Sequence, residues 1–221
     1  MLPEKEAEGL PRSLQELRAC LVRGEKHFPG LNLDELDGID LDLSHCDLHG
    51  GGFKEARFGH ARLHAANVKG CCFRQSMIWG ADLSKLQASH SFWQDADLSS
   101  SRLQGADFSN AFMHRCSFRG VVAADSIWLN ARLVEADFRS GLDQLTDLGG
   151  ANFTDADLSF ALFQGAQLHH ACFKGSCLYG ANFNRADLHG ADLRGCDLRD
   201  TQLQDCNLDQ ALLEDALLPC K

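Results

Sequence analysis

Nearly every fifth residue from Leu43 to Leu218 is large and apolar, and that period decides what the chain can become. Of the 36 positions in this frame, 33 are Leu, Phe, Ile, Val, Met or Trp; Ala88, Ala123 and Asp143 are the exceptions. Two residues earlier, 34 of the 36 positions carry Ala, Cys, Ser, Thr, Gly or Val, with Leu41 and Leu86 the exceptions. A five-residue beat is neither the repeat of a helix nor the alternation of a strand. A chain that turns a corner every five residues satisfies it. In each unit residues i and i−2 then point into one narrow interior and the other three stay outside. Four such sides close a square coil of about 20 residues, and successive coils stack at the ~4.8 Å strand spacing. Frame 88 supports a shared interior, because Leu86 takes the small site and Ala88 the large one, which keeps the volume nearly constant.

Units such as ADLHG (186–190) and ADLRG (191–195) resemble the pentapeptide-repeat family. The resemblance implies an all-β solenoid, a right-handed quadrilateral β-helix. Over residues 31–218 it implies about nine coils and a rod about 45 Å long. The lead-in LRACLVRGEKHFPGLNL is similar to that of cyanobacterial members, some of them linked to photosynthetic membranes or to development.

A stack of coils has two open ends that invite further stacking unless they are covered. Residues 1–30 form an N-terminal segment whose stretch SLQELRACLVRG (13–24) predicts a short α-helical cap. Ser13 and Glu16 make a capping box, Leu14, Leu17, Leu21 and Val22 share a face, and Gly24 ends the helix. Residues 209–221 also carry helical spacing in Leu212, Leu213, Ala216 and Leu217. They predict either a second cap or an apolar end for dimerisation, since some relatives pair end to end; the residues concerned are Leu212, Leu213, Leu217 and Leu218. The repeat weakens at VVAADSIW (121–128), where Ala123 is small, and at RSGLDQLTD (139–147), where Asp143 brings an unpaired charge to an inward beat. A loop near 140–146 is expected, with Leu142 or Leu145 turned inward.

Outward positions recur every 20 residues on one side. Phe92 and Phe112 are therefore vertical neighbours, Val122, Leu142 and Leu162 make a second column, and Trp79, Phe160 and Tyr179 share a third side. Apolar residues at such sites mark a partner surface where they are contiguous. Phe92, Phe112, Trp79, Tyr179 and Phe160 are accordingly the candidate partner-binding residues.

The net charge of −10 disfavours nucleic acid and anionic membranes as partners. The start, MLPEKEAEGLPRS, is charged and lacks the apolar stretch of a secretory signal, and the apolar runs are too short to span a bilayer, so a soluble cytoplasmic chain is expected. Cys46, Cys71, Cys116, Cys196 and Cys206 occupy the small inward site while Cys72, Cys172 and Cys177 point outward, which predicts thiols and no disulfide framework. His169, His170 and His189 fall near one another, but no Cys or carboxylate accompanies them and no metal site is expected. An interior filled by its own Leu and Phe leaves no catalytic cavity, and only the stretch 121–146 offers room for a cleft. No phosphate loop, nucleophile elbow or His/carboxylate metal motif occurs, so no enzymatic activity and no cofactor are expected. The recurring Asp and Asn read as corner hydrogen-bonders.

What remains is a rigid scaffold, adaptor or assembly factor that acts by protein–protein contact, with a photosynthetic or other membrane complex among its partners and a second copy at its C-terminal end. The alternative, implied by the gyrase-protecting members of the family, is a DNA mimic acting on a type II topoisomerase. Residues 61–120 weigh against it. They carry seven bases and four acids, net +3, between stretches of net −5 (31–60) and −8 (beyond 120). DNA carries one charge per about 1.7 Å, a far denser array.

Overall fold

The structure, a computed structural model, describes residues 9–141 and 143–219. Nearly every five-residue unit ends in a hydrogen-bonded turn. The N–H of the next small residue donates to the carbonyl of the large one, as Leu31 does to Phe28 at 3.1 Å and Ala191 to Leu188 at 3.0 Å. The residue just before that small one has a left-handed backbone, with φ near 58° even where it is Glu35, Phe160 or Gln210. A turn with positive φ at its third residue favours Gly, Asn and Asp, which recur there. The corner is held from outside as well. Asp82, Asp107 and Asp187 each accept the N–H two residues on, at 2.9 to 3.1 Å, so the repeated Asp is a turn residue.

Between corners the outward residue makes a parallel bridge to the next coil, 20 residues away. Asp42 bridges Arg62, Arg62 bridges Asp82, and Asp82 bridges Arg102. Backbone hydrogen bonds run the same way on all four sides, as from Leu63 N–H to the Asp82 carbonyl at 2.8 Å. The core is a single column of large side chains with rings stacked from coil to coil. Phe73 lies 5.1 Å from Phe53 and 4.3 Å from Trp93, and Phe163 lies 4.9 Å from Phe138 and 4.7 Å from Phe183. Polar residues at the small site stay satisfied. The Cys71 and Cys116 thiols and the Ser101 hydroxyl donate to carbonyls of the preceding coil at 3.0, 2.9 and 2.8 Å.

The two small residues at large beats do not interrupt the wall. Ala88 and Ala123 are each followed one side later by Trp93 and Trp128, and all four are fully buried. Trp128 Nε1–H donates to Ser126 Oγ at 2.7 Å, and that hydroxyl donates to the Ala123 carbonyl at 2.6 Å; Trp93, Ser91 and Ala88 repeat the chain of bonds. The volume lost on one side is thus restored by an indole from the next.

A detour of five residues lies between Ser140 and Thr146. Val122 bridges Asp147, 25 residues on, and the wall resumes with Thr146, whose hydroxyl accepts Gly120 N–H and donates to the Arg139 carbonyl, both at 2.9 Å. Asp143 stays exposed. Leu145 is 59% exposed and does not turn inward as expected, because the wall closes without it; Leu142 lies outside the described residues. A detour of five keeps the frame but moves every later residue one side round relative to a strict count of 20.

At the N-terminal end, α1 (Leu14–Val22) begins at Ser13, whose Oγ accepts Glu16 N–H at 3.2 Å. The Glu16 carboxylate accepts Arg12 N–H at 2.7 Å, one residue before the position a reciprocal box requires. Leu17 is fully buried, and Leu14, Cys20 and Leu21 pack on the core. Val22 does not share that face: it is 89% exposed. Gly24, at φ 81°, closes the helix by donating to the Leu21 carbonyl at 3.0 Å.

The helical reading of 209–221 is corrected over its described part. The beat of turns continues through 218, with Leu212 bridging Asp192 and Leu217 bridging Asp197. The spacing of Leu212, Leu213, Ala216 and Leu217 fits a helix face, but Leu213 also falls on the inward beat and Leu212 and Leu217 on the outward one. The backbone bonds to the coil before decide between them.

Candidate functional site

With the interior filled, recognition falls to the outer walls, and the sequence-predicted residues distribute over them unequally. Phe92 and Phe112 bridge each other and stack, with ring centroids 5.2 Å apart and planes at 13°. The same column carries Cys72 above and Arg132 below. Arg74 sets its guanidinium over the Phe92 ring at 5.5 Å, and Arg132 sets its own over Phe112 at 5.1 Å. Each such contact is worth about 0.5–1 kcal/mol at an exposed site. Sequence reasoning missed both arginines. The signal was there: Arg132 follows Phe112 by one coil, and Arg74 stands at the corner of the coil before Phe92.

The other columns dissolve. Val122 lies against Asp147 and Leu162 against Asp137, because the five-residue detour before Thr146 displaces Leu162 by one side. For the same reason Trp79 does not share a side with Phe160 and Tyr179. Trp79 lies across Gly59, where a Cβ would meet the indole at 2.8 Å, and it contacts His60 edge-on with centroids 4.4 Å apart. Phe160 and Tyr179 meet edge-on at 5.4 Å on a different corner, with Arg199 6.0 Å from the Tyr179 ring. Leu212, Leu213, Leu217 and Leu218 are all exposed at the C-terminal end.

His170 lies 6.2 Å from His169 and 5.6 Å from His189 between ring centroids, and among the described residues no group of three metal-binding side chains converges. Cys46, Cys71, Cys116 and Cys196 are buried, and burial pushes the Cys71 thiol up to about 12, so it stays protonated. Two surface clefts among the described residues lie away from 121–146. One of about 410 Å³ is bordered by Thr154, Lys174, Arg194 and Asp215, and one of about 240 Å³ by Gln164, Asn184, Arg185 and Asp205. Both are shallow gaps between corner side chains.

Charge alternates along the wall that carries Asp42 and Asp82. Asp42 and Asp82 do share a side, but Arg62 and Arg102 are interleaved with them, and Arg62 binds the Asp42 carboxylate at 2.8 Å. Among the described residues, no helix is long and apolar enough to cross a membrane.

Comparison with known proteins agrees with this geometry. The family model for pentapeptide repeats matches eight copies, over residues 42–77, 81–120, 144–180 and 176–215. The crystal structure of HetL, a pentapeptide repeat protein involved in heterocyst differentiation regulation from the cyanobacterium Nostoc sp. strain PCC 7120, is similar with a TM-score of 0.77 at 26% identity. That likeness covers 93% of this chain and 94% of HetL. QnrB1, a plasmid-mediated fluoroquinolone resistance protein, is similar in fold at 19% identity, with a TM-score of 0.58 over 87% of this chain and 91% of its own. No curated protein sequence matches.

Proposed function

Because the chain belongs to the pentapeptide-repeat family, whose fold presents surfaces and encloses no reaction chamber, we propose that it is a non-enzymatic rigid scaffold, adaptor or assembly factor acting by protein–protein interaction. The observation that carries this reading is the filled interior: from Leu43 to Leu198 the inward large side chains of the wall are essentially inaccessible to solvent. Only fixed arrays of outward side chains are left to do work, which is how solenoids generally bind. The likeness to HetL, which is involved in a regulatory process, supports an interaction role. A rod of about nine coils with a helical cap at one end suits a cytoplasmic adaptor, free or at the edge of a photosynthetic or other membrane complex. Its candidate contact residues are Phe92, Phe112, Trp79, Phe160 and Tyr179, and a second copy would pair through Leu212, Leu213, Leu217 and Leu218. DNA mimicry on a type II topoisomerase is the lesser reading, since Arg62 and Arg102 interrupt the acidic wall.

The test is affinity isolation of the tagged chain from its own cells in mild detergent, with bound proteins identified by mass spectrometry. A stoichiometric protein complex is the expected result. Recovery of gyrase or topoisomerase IV subunits would transfer the assignment to topoisomerase modulation. Saturable turnover of a small molecule by the purified chain would overturn the non-enzymatic reading.

A further inference from the structure

We propose that the Arg74–Phe92–Phe112–Arg132 column is the docking site for an extended acidic segment of a partner protein, in which two carboxylates flank an aromatic side chain at every-other-residue spacing. The proposal rests on the reading of the chain as a protein-binding scaffold and names the chemistry that one of its walls recognises.

The four side chains form a continuous strip along the rod, guanidinium, ring, ring, guanidinium, with successive contacts of 5.5, 5.2 and 5.1 Å. Both rings are only half-buried, so the apolar centre of the strip is open to a partner. Among the described residues neither Arg74 nor Arg132 is ion-paired, unlike Arg57, Arg62 and Arg115, each of which meets a carboxylate one coil away. Arg74 is nevertheless held in place, since its Nε–H donates to Gln94 Oε1 at 3.0 Å. The nearby Asp95 carboxylate is engaged by Arg115 through two bonds of 2.7 and 3.2 Å, and that of Asp157, which bridges Arg132 from the next coil, accepts Ser159 N–H at 3.1 Å and the Ser159 hydroxyl at 2.6 Å. A guanidinium stacked on a ring still presents its N–H edge, and that edge matches a carboxylate in bidentate geometry.

Spacing then selects the ligand. The two guanidiniums stand roughly three coil steps apart, about 15 Å. In an extended peptide, residues i, i+2 and i+4 point the same way, and i and i+4 are separated by about 13 Å. Two carboxylates at the ends therefore reach the two arginines while the middle side chain lies on the Phe pair. The coils that carry Arg74, Phe92 and Phe112 are net basic, with seven bases against four acids in residues 61–120, which favours an acidic partner. A rigid wall loses little freedom on binding, which favours a short segment.

The probe is a fluorescein-labelled peptide containing Glu-Thr-Phe-Thr-Glu between Gly-Ser flanks, titrated with the full chain and read by fluorescence polarisation. Saturable binding that weakens as salt is raised is expected, with about a tenfold loss for Gln-Thr-Phe-Thr-Gln and for the variant Arg74→Gln/Arg132→Gln. Phe92→Ser/Phe112→Ser should lose binding while keeping the far-UV circular dichroism of the parent. Should that variant fold poorly, the exposed arginine variant carries the test alone. No saturable binding, equal binding of the glutamine peptide, or unchanged binding by the arginine variant would overturn the proposal. Equal competition by a thymidine oligonucleotide would also overturn it, since the strip would then be reading phosphate and bases. If Arg74→Gln/Arg132→Gln still isolates the same partner from cells, the scaffold reading stands and this strip falls.

Discussion

The two ends of the rod are built from the same kind of coil and finish differently. At the N-terminal end the chain leaves the five-residue beat, forms α1, and buries Leu17 completely against the first coil. At the C-terminal end the beat runs on to Leu218, and the inward leucines emerge from cover: Leu213 is 37% exposed and Leu218 57%. The N–H groups of Leu188, Leu193 and Leu198 each donate to the following coil at 2.8 Å, whereas those of Leu203, Leu208 and Leu213 meet no such partner among the described residues. The lesson is that a repeating coil cannot end itself. Its lower face is the same as its upper face, so closure demands a sequence that abandons the repeat. Residues 13–24 do so and residues 209–218 do not.

The largest expected effects break this comparison outright. Leu193→Asp places an unpaired carboxylate in the closed interior and should leave no soluble folded protein. Leu213→Asp/Leu218→Asp, the same chemistry one coil further on, should fold normally. If the open end seats a second copy, sedimentation should show the parent as a dimer and this variant as a monomer; a monomeric parent would discard the end as an interface. A milder pair measures the same asymmetry in free energy. Leu43→Ala, at a fully buried beat, should cost about 2–5 kcal/mol in denaturant unfolding, and Leu213→Ala less than about 1 kcal/mol. Equal losses would mean that the C-terminal leucines are covered in solution.

Much of the fold is legible because a five-residue beat admits few structures, and the inward register follows from it residue by residue. The compensation at Ala123 is less legible. Volume is conserved across neighbouring sides, Ala123 with Trp128, and not only within one unit as Leu86 and Ala88 suggest. Asp143 announces a departure from the wall, but a detour that is itself five residues long leaves no trace in the frame. That is why Leu162 and Trp79 read as members of columns they do not join. Leu212, Leu213, Ala216 and Leu217 satisfy two periods at once, and only backbone pairing to Asp192 and Asp197 separates them. As for the candidate site, Phe92 and Phe112 follow from counting 20. Their arginines do not emerge from apolar residues alone, because a guanidinium over a ring is a polar residue doing the work of contact.

Smaller changes sharpen the contrast between the ends. Ser13→Ala removes the hydroxyl that accepts Glu16 N–H and should cost about 1 kcal/mol, felt as faster amide exchange in α1 and the first coil and nowhere else. Loss spread along the whole rod would mean that the helix nucleates the stack and does more than cover it.

Acid gives the subtlest test. Near the open end the Asp192 carboxyl is held below the usual carboxylate range by its bonds from Arg194, and that of Asp197 by its bonds from Arg199. Because both are depressed in the folded state, their contribution is complete above the unfolded value near 4 and disappears as pH falls through and below it. Asp42, near the end that carries α1, is lowered too, despite burial that works the other way, by bonds from Ser44 and Arg62. Protonation therefore weakens both ends in the same pH window, and exposed pairs of this kind are individually weak. Among the described residues the coil 199–218 has a bridged neighbour on one side, so it should fray first. Hydrogen exchange followed from pH 5 to pH 3, corrected for intrinsic rates, should show protection lost around Asp192 and Asp197 before it is lost around Asp42. Simultaneous loss would mean that the corner carboxylates, and not the missing neighbour, set the stability of the open end.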